Sequence, residues 1–253
     1  MYVLPYGQMS LWGIIMPQMY NLINRLYNLI SIFFVFIVII NLKEKNFSKK
    51  IKGIYRVGPH NIDILSIIYG SLLGDAHAEK RVCGTRISFY QEDTHLKYIC
   101  YLHNLLNKSG YCNNILPLVK TRLGVKGKIR KIIRFHTWTY TSLNFIKDEW
   151  YLNNNKCVPK NIGKYLTPLA LAIWIMDDGG KVSKGLKFST NSFTYEECNL
   201  LVKVLYDNFK IKSSVQSAGH KDQYIIYVWK ESMIILREIV SPYIIPEMKY
   251  KIF

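Results

Sequence analysis

Two aspartates, Asp75 and Asp178, each end an apolar run and lie beside a glycine. The runs are residues 68–76 (IYGSLLGDA) and 171–179 (LAIWIMDDG), and both have the composition of a buried helix. A carboxylate brought into a protein interior is costly unless another group compensates its charge. Two such helices packed side by side would bring the two carboxylates together, and a divalent cation with oxygen ligands would balance them. The pattern therefore predicts a paired Mg²⁺ site.

Both runs resemble the LAGLIDADG motif of homing endonucleases, here with two copies in one chain. Asp75 and Asp178 fall on its eighth, catalytic position. The surrounding residues 156–178 (KCVPKNIGKYLTPLALAIWIMDD) and 242–251 (PYIIPEMKYK) also resemble this family. The likeness covers residues 53–253.

The resemblance implies the ligands of the metal site. The carboxylates of Asp75 and Asp178 would hold the ions, helped by the backbone carbonyl groups of Gly74 and Asp177. Two or three Mg²⁺ ions would be shared between two centres, and Mn²⁺ would substitute for them. The chain departs from the motif at two positions: Ser71 is the fourth residue of the first copy, and Asp177 replaces a small residue at position seven of the second.

Two lysines match the positions of active-site lysines in this family. Lys156 and Lys251 would orient the hydrolytic water or stabilise phosphate charge, and Lys249 is an alternative to Lys251. One acidic group in each half gives each DNA strand its own cleavage centre. The resemblance thus implies a staggered double-strand break with a 3′ overhang.

The elements that must position these groups form an α+β fold, in which the order α-β-β-α-β-β-α occurs twice. We expect the first half at residues 53–160 and the second at residues 161–253, related by a pseudo-twofold axis. Two antiparallel sheets would lie astride a central helix pair, and their exposed faces would bind DNA.

Capping residues predict where the helices begin. Asp63 is expected to cap the helix that leads to Asp75, and Thr167 with Pro168 begins the helix that leads to Asp178. Thr194 and Glu197 resemble a capping box. The remaining helices are predicted at residues 94–107, 142–151 and 232–240.

Alternation of polar and apolar residues predicts the strands and their nucleic-acid face. The predicted strands are residues 85–91, 115–123, 128–140, 186–191, 213–218 and 223–229. A two-stranded ribbon fits the major groove, where Arg reads guanine and Asn or Gln reads adenine. The residues predicted to contact nucleic acid are Arg86, Ser88, Tyr90, Lys120, Arg122, Lys128, Arg130, Arg134, Lys187, Ser189, Asn191 and Gln216.

The composition agrees with a polyanionic partner. The 34 Lys and Arg outnumber the 17 Asp and Glu, which gives a formal charge of +17, and the sequence pI is about 9.6. Such a balance is typical of chains that bind nucleic acid. The five cysteines are scattered without a CxxC pair, which indicates neither a zinc site nor a disulfide framework.

The N-terminal segment differs from the rest. Residues 2–13 (YVLPYGQMSLWG) resemble mitochondrial cytochrome b, so an exon reading in frame into an intron is expected, with the change near Ile14. Residues 14–52 would form a leader or linker. Within it, residues 29–40 (LISIFFVFIVII) are apolar but shorter than the roughly 20 residues of a membrane span, so a membrane contact and a removable leader both stay open.

The leading hypothesis is a site-specific, Mg²⁺-dependent DNA endonuclease that promotes homing of its group I intron in mitochondrial cytochrome b. The alternative is an RNA maturase that assists splicing of that intron, alone or in addition. A membrane-associated structural protein would explain only residues 29–40. We expect a monomer in the mitochondrial matrix, with inner-membrane association before processing as a further option.

Overall fold

The computed structural model describes residues 26–27, 29–31 and 51–253, apart from residues 125–126. The chain divides into two units, Met1–Ile51 and Lys52–Phe253. The described residues before 51 are helical, whereas the exon-like segment and most of the apolar run lie outside the described residues. Among the helices that are described, none combines the length and the apolar character needed to cross a membrane.

The second unit repeats one order of helices and strands. The first repeat contains helices α1 (Ile62–Leu73), α2 (Leu96–Lys108) and α3 (Asn144–Trp150), strands β1 (His77–Arg81), β2 (Gly84–Glu92), β3 (Val119–Leu123) and β4 (Ile129–His136), and a short hairpin, β5 (Tyr151–Leu152) and β6 (Asn155–Lys156). The second repeat contains helices α4 (Ile162–Tyr165), α5 (Pro168–Asp178), α6 (Tyr195–Phe209) and α7 (Met233–Val240) and strands β7 (Gly179–Val182), β8 (Gly185–Phe188), β9 (Ser213–Ser217) and β10 (Tyr224–Val228).

Helices α1 and α5 pack against each other in the core. Gly70 makes this packing possible, because a Cβ atom there would lie 2.5 Å from the carbonyl oxygen of Ala170. Thr167 caps α5 as predicted, accepting a hydrogen bond from Ala170 N at 3.2 Å. The predicted cap of α1 was wrong: Asn61 accepts the bond from Ile64 N, and Asp63 lies in the first turn. Asn61 has the extended backbone that a cap requires, whereas Asp63 is already helical.

The first repeat forms a four-stranded antiparallel sheet in the order β1-β2-β4-β3. Ile87 and Phe89 on β2 and Ile133 and Phe135 on β4 are buried on the core face, as the alternation predicted. The sequence did not locate β1, which is polar and has no apolar alternation. The observed β3 and β4 are shorter than the predicted arms.

The second repeat forms an equivalent sheet in the order β7-β8-β10-β9. Leu186 and Phe188 on β8 and Ile226 and Val228 on β10 are fully buried. Strand β8 ends at Phe188, so the segment predicted as strand up to residue 191 is three residues too long. The glycine-rich β7 was not located from sequence.

The helices predicted at residues 94–107, 142–151 and 232–240 match α2, α3 and α7 within about two residues, and α6 begins directly after its predicted cap, Thr194. The capping box of α6 is present, with Thr194 and Glu197 bonding each other's backbone amides. Two 3-10 turns, Asp93–His95 and Thr141–Leu143, precede α2 and α3. All five cysteines are free thiols. The predicted α+β architecture, two four-stranded sheets around a central helix pair, is confirmed.

Candidate metal centre and nucleic-acid interface

The predicted catalytic aspartates lie at the ends of the central helices. Asp75 follows the C-cap Gly74 of α1 and is exposed, whereas Asp178 is the last residue of α5 and is half-buried. Asp177 faces the other helix: a Cβ atom at Gly74 would lie 2.7 Å from Asp177 Oδ2. The side chain of Asp177 thus lies between the two helices, beside Asp75 and Asp178. Three carboxylates share this end of the helix pair, whereas the sequence pattern predicted two.

Gln91 joins the two helix ends. Its Nε2 donates hydrogen bonds to Asp75 Oδ2 at 2.8 Å and to Asp177 Oδ1 at 2.9 Å. His95 Nδ1 lies 3.0 Å from Gln91 Oε1, and since that oxygen only accepts, Nδ1 is the protonated nitrogen. Sequence reasoning missed Gln91. The available signal was a polar residue at the core-facing parity of a strand whose neighbours at that parity are Ile87 and Phe89.

The two predicted active-site lysines occupy matching places at the helix ends. Lys156 Nζ donates to Gly74 O at 2.8 Å and to Ala76 O at 3.0 Å. Lys251 Nζ donates to Asp177 O at 3.0 Å and also to Ile175 O and Met176 O. Each ammonium group therefore binds the carbonyl at position seven of one motif copy.

The elements that carry the two lysines, and the burial of their side chains, distinguish Lys251 from Lys249. The hairpin β5–β6 carries Lys156, and a 3-10 turn, Pro246–Lys251, carries Lys251. Lys251 is only 6% exposed, whereas Lys249 is exposed. The geometry thus favours Lys251 over the alternative.

Burial and mutual repulsion perturb the acids. Burial raises the pKa of Asp178 to about 7; the charge of Asp75 adds to this, and Lys156 and Lys251 oppose it. The pKa of Asp177 is raised well above its ordinary value, first by loss of solvation and then by Asp75 and Asp178. Three carboxylates so close together repel one another when all are ionised.

Burial lowers the pKa values of the two lysines, whereas it raises those of Asp177 and Asp178. It lowers the pKa of Lys156 to about 8, although Asp178, Asp177 and Asp75 favour the charged form. It also lowers the pKa of Lys251. The ammonium groups offset part of the negative charge of the three carboxylates.

The donor set fits a hard divalent cation. Carboxylate and carbonyl oxygens are the ligands that Mg²⁺ prefers, and Mg²⁺ usually keeps several waters rather than an all-protein cage. Within the described residues, no group of three or more His, Cys, Asp and Glu side chains is arranged to ligate a single ion. Protein ligands would therefore be few, with substrate phosphate and water completing the coordination.

The predicted basic face of the first sheet is present. Cross-strand pairs place Arg122 opposite Arg130 and Tyr90 opposite Arg134, with the Arg134 guanidinium 5.6 Å from the Tyr90 ring. The exposed predicted contacts on this face are Lys120, Arg122, Lys128, Arg130 and Arg134. The hairpin thus presents a row of cations to solvent.

Ser88 and Arg86 differ from the prediction in accessibility. Ser88 shares the parity of this face but is fully buried, because His77 and His136 on the neighbouring strands pair with it from both sides. Arg86 is half-buried and tied to Glu79 Oε2, 2.8 Å from its Nε. An intramolecular ion pair, which sequence parity did not predict, therefore fixes this guanidinium.

The second sheet offers a mainly neutral polar face. Lys187, Tyr227 and Ser214 lie in one cross-strand row, and exposed Gln216 pairs with Ile225. Ser189 and Asn191 follow the end of β8 and are exposed. The two sheets would consequently contact a nucleic acid differently.

Comparison with known proteins identifies the family. The sequence profile of the LAGLIDADG DNA endonuclease family matches residues 65–236. The chain belongs to this family. The double LAGLIDADG motif inferred from sequence is thereby confirmed as a family assignment, and α1 and α5 are its two motif helices.

Two relatives of this LAGLIDADG protein are named cytochrome b mRNA maturase bI2. The one from Saccharomyces cerevisiae is 48% identical over 289 residues, which cover 99% of this chain and 68% of the relative. The one from Debaryomyces hansenii is 50% identical over 196 residues, which cover 77% of this chain and 75% of the relative. The similarity thus extends over almost the whole chain.

A solved structure has the same fold. The homing endonuclease I-WcaI, bound to its DNA recognition sequence, is 24% identical to this LAGLIDADG protein with a TM-score of 0.68. The alignment covers 83% of this chain and 91% of that one.

Proposed function

We propose that this protein is a maturase that assists the splicing of its own group I intron from a mitochondrial cytochrome b transcript. The observation that carries this proposal is the 48% identity to a cytochrome b mRNA maturase across 99% of the chain. It reverses the order of the two hypotheses drawn from sequence. The cytochrome b relatives also support a mitochondrial location.

The charge of the chain suits an RNA partner. A formal charge of +17 favours contact with a phosphate backbone, and such binding requires neither a metal centre nor ionised carboxylates. Exposed arginines and lysines on the first sheet, with Tyr90 beside Arg134, offer phosphate contacts and a ring for stacking. The maturase function therefore depends on surface cations rather than on Asp75 and Asp178.

Cleavage of double-stranded DNA is a second candidate function, and the geometry of the metal centre favours it. A protein that only binds RNA has no need for two aspartates at the helix ends, each half equipped with a lysine on the position-seven carbonyl. Asp75 and Asp178 would hold Mg²⁺ or Mn²⁺ through their carboxylates. The carbonyls of Gly74 and Asp177 already accept hydrogen bonds from Lys156 and Lys251, so each would offer a cation only its second lone pair. The bound ions would supply an activated water and stabilise the departing 3′ oxygen.

The chain's own residues would set the charge around the scissile phosphates. Lys156 and Lys251 keep their protons when the carboxylates beside them are ionised, so that they stabilise negative charge on phosphate. Asp178 must be ionised to bind a cation, which its pKa of about 7 allows near neutral pH. The exposed basic hairpin would fix the register of the duplex.

The test uses the full-length protein on two substrates. One is precursor RNA that contains the intron, and the other is a duplex spanning the joined cytochrome b exons, beside the same duplex interrupted by the intron. Faster splicing of the RNA supports the maturase. Cleavage of only the uninterrupted duplex supports the endonuclease, and a folded protein that does neither contradicts both proposals.

A further inference from the structure

Gln91, a residue of the first half, hydrogen-bonds a carboxylate of each motif copy. It is a buried side chain, 5% exposed, on the core face of β2. Both protons of its amide are used, one on Asp75 Oδ2 at 2.8 Å and one on Asp177 Oδ1 at 2.9 Å. A single neutral side chain thus joins a carboxylate of each motif copy.

The neighbours of Gln91 fix the direction of its amide. His95 Nδ1 lies 3.0 Å from Gln91 Oε1. Turning the amide over would place its oxygen against the carboxylate oxygens of Asp75 and Asp177, which is why the NH₂ group faces them and Oε1 faces His95. The hydrogen bond from Gln91 Nε2 fixes Oδ2 of Asp75 and leaves Oδ1 of that carboxylate for another ligand.

The second half has a different residue at the equivalent place. Thr190 follows Phe188 by two residues, as Gln91 follows Phe89, but its Oγ1 donates to Tyr224 O at 2.9 Å. Across the part of the chain that the structure describes, no hydrogen bond to the carboxylate of Asp178 is found. The seventh motif residue also differs between the halves: it is Gly74, without a side chain, in the first copy and Asp177, with a carboxylate, in the second.

We propose that Gln91 is a positioning residue that holds Asp75 and Asp177 together and makes the two centres bind a divalent cation unequally. This inference rests on the second candidate function, the metal-dependent centre. The Asp75 carboxylate is oriented in advance, and a third carboxylate adjoins it. The Asp178 carboxylate accepts no such bond from the described residues and is held only by its attraction to the charges of Lys156 and Lys251, so more of the ordering cost falls on cation binding there. The centre that contains Asp75 is therefore the tighter one.

The size of the effect follows from known outer-shell partners. Removing a hydrogen-bonding partner of a metal ligand typically weakens binding by about 10–100-fold. Gln91→Met keeps the length of the side chain but removes both donors. It should weaken the tight class of cation site about tenfold and leave the weak class unchanged.

The test is a Mn²⁺ titration of the full-length protein followed by electron paramagnetic resonance, which counts bound ions without any need for DNA cleavage. Gln223→Met is the matched control, because Gln223 lies near the tip of the β9–β10 hairpin and is bonded to Asn191 at 3.0 Å. His95→Ala provides a second variant should Gln91→Met fail to fold, since it frees the amide without leaving a hole in the core. We expect it to weaken the same class of site by a smaller factor.

The outcomes separate this inference from the proposed functions. Two classes of site in the wild-type protein, with only the tight class weakened by Gln91→Met, support it. Equal weakening of both classes, or no change in either, overturns it. If the wild-type protein binds no Mn²⁺, the inference and the nuclease centre both fail, whereas the maturase proposal stands on the splicing assay.

Discussion

Gly74 and Asp177 occupy the same motif position in the two halves and face each other across the central helices. A Cβ atom at Gly74 would lie 2.7 Å from Asp177 Oδ2. One half therefore provides the space that the side chain of the other half fills. The departure from the motif at Asp177 is accommodated by the missing side chain of Gly74.

The first prediction follows from this contact. Gly74→Ala should destabilise the protein by about 1–3 kcal/mol through overpacking. Asp177→Gly should remove the obstacle, so that the double variant loses less stability than the sum of the single variants. Urea unfolding midpoints measure each free energy of unfolding.

Gly70→Ala is the control for this pair. Its obstacle is the backbone of Ala170, at 2.5 Å from the added Cβ, and Asp177→Gly should not relieve it. If Asp177→Gly restored the stability of Gly74→Ala and of Gly70→Ala equally, the stability lost in Gly74→Ala would not come from its contact with Asp177.

The second prediction concerns the lysines. Lys156→Met and Lys251→Met should each lower DNA cleavage by about 10²–10³-fold, the effect of removing one preorganised donor. Lys249→Met separates the two alternatives at the C-terminal end, because Lys249 is exposed and Lys251 is 6% exposed. Cleavage that fell with Lys249→Met and survived Lys251→Met would reverse the assignment. Strand-resolved cleavage assays supply the measurement.

The third prediction is a pH dependence. Burial raises the pKa of Asp178 from its ordinary 3.8 to about 7. Its contribution to the free energy of unfolding is fully present below about pH 4 and is lost as pH rises through about 7. A cation needs the ionised form, so binding should weaken roughly tenfold for each pH unit below the pKa.

Thermal unfolding with and without Mg²⁺ measures this effect. Mg²⁺ should raise the Tm more at pH 8 than at pH 6, and Asp178→Asn should reduce the difference between the two pH values. An Mg²⁺ effect that is the same at both pH values in the wild-type protein would show that Asp178 does not take part in cation binding.

The fourth prediction tests the basic face of the first sheet. Arg130 and Lys131 are adjacent, exposed residues on β4 whose side chains point to opposite faces. Arg130→Ala should weaken nucleic-acid binding and reduce the salt slope by about 1, the signature of one lost phosphate contact. Lys131→Ala should change the slope less. Titrations of DNA and of intron RNA at several salt concentrations, compared for the two variants, reveal which nucleic acid uses this face.

Much of this fold was readable from sequence because strong local signals agree with the tertiary structure. The capping box of Thr194 and Glu197, the Thr167 cap and the apolar motif helices all lie where their patterns predict. Asp63 was the wrong cap to predict because Asn61, two residues earlier, is an equally good cap. Local propensity cannot choose between two good capping residues that lie two positions apart.

The site was readable only in part, because its geometry depends on contacts between distant residues. The β5–β6 hairpin that carries Lys156 turns on Asn153 and Asn154, with φ values of 51° and 66°, which asparagine tolerates well. Its strands have two residues each, too short for an alternating pattern. Gln91 contacts Asp177 across 86 positions of sequence, so that no local pattern could assign its role.

The maturase function is tested most directly by the rate at which the intron is spliced from precursor RNA. The rate is measured with the full-length wild-type protein and with the full-length Asp75→Asn/Asp178→Asn double variant. We predict that both proteins accelerate splicing equally while the double variant cleaves no DNA, because RNA binding uses surface cations rather than the carboxylates. A folded wild-type protein that binds the intron RNA, leaves its splicing rate unchanged and cuts the joined-exon duplex would contradict the maturase function and make DNA cleavage the activity of this chain.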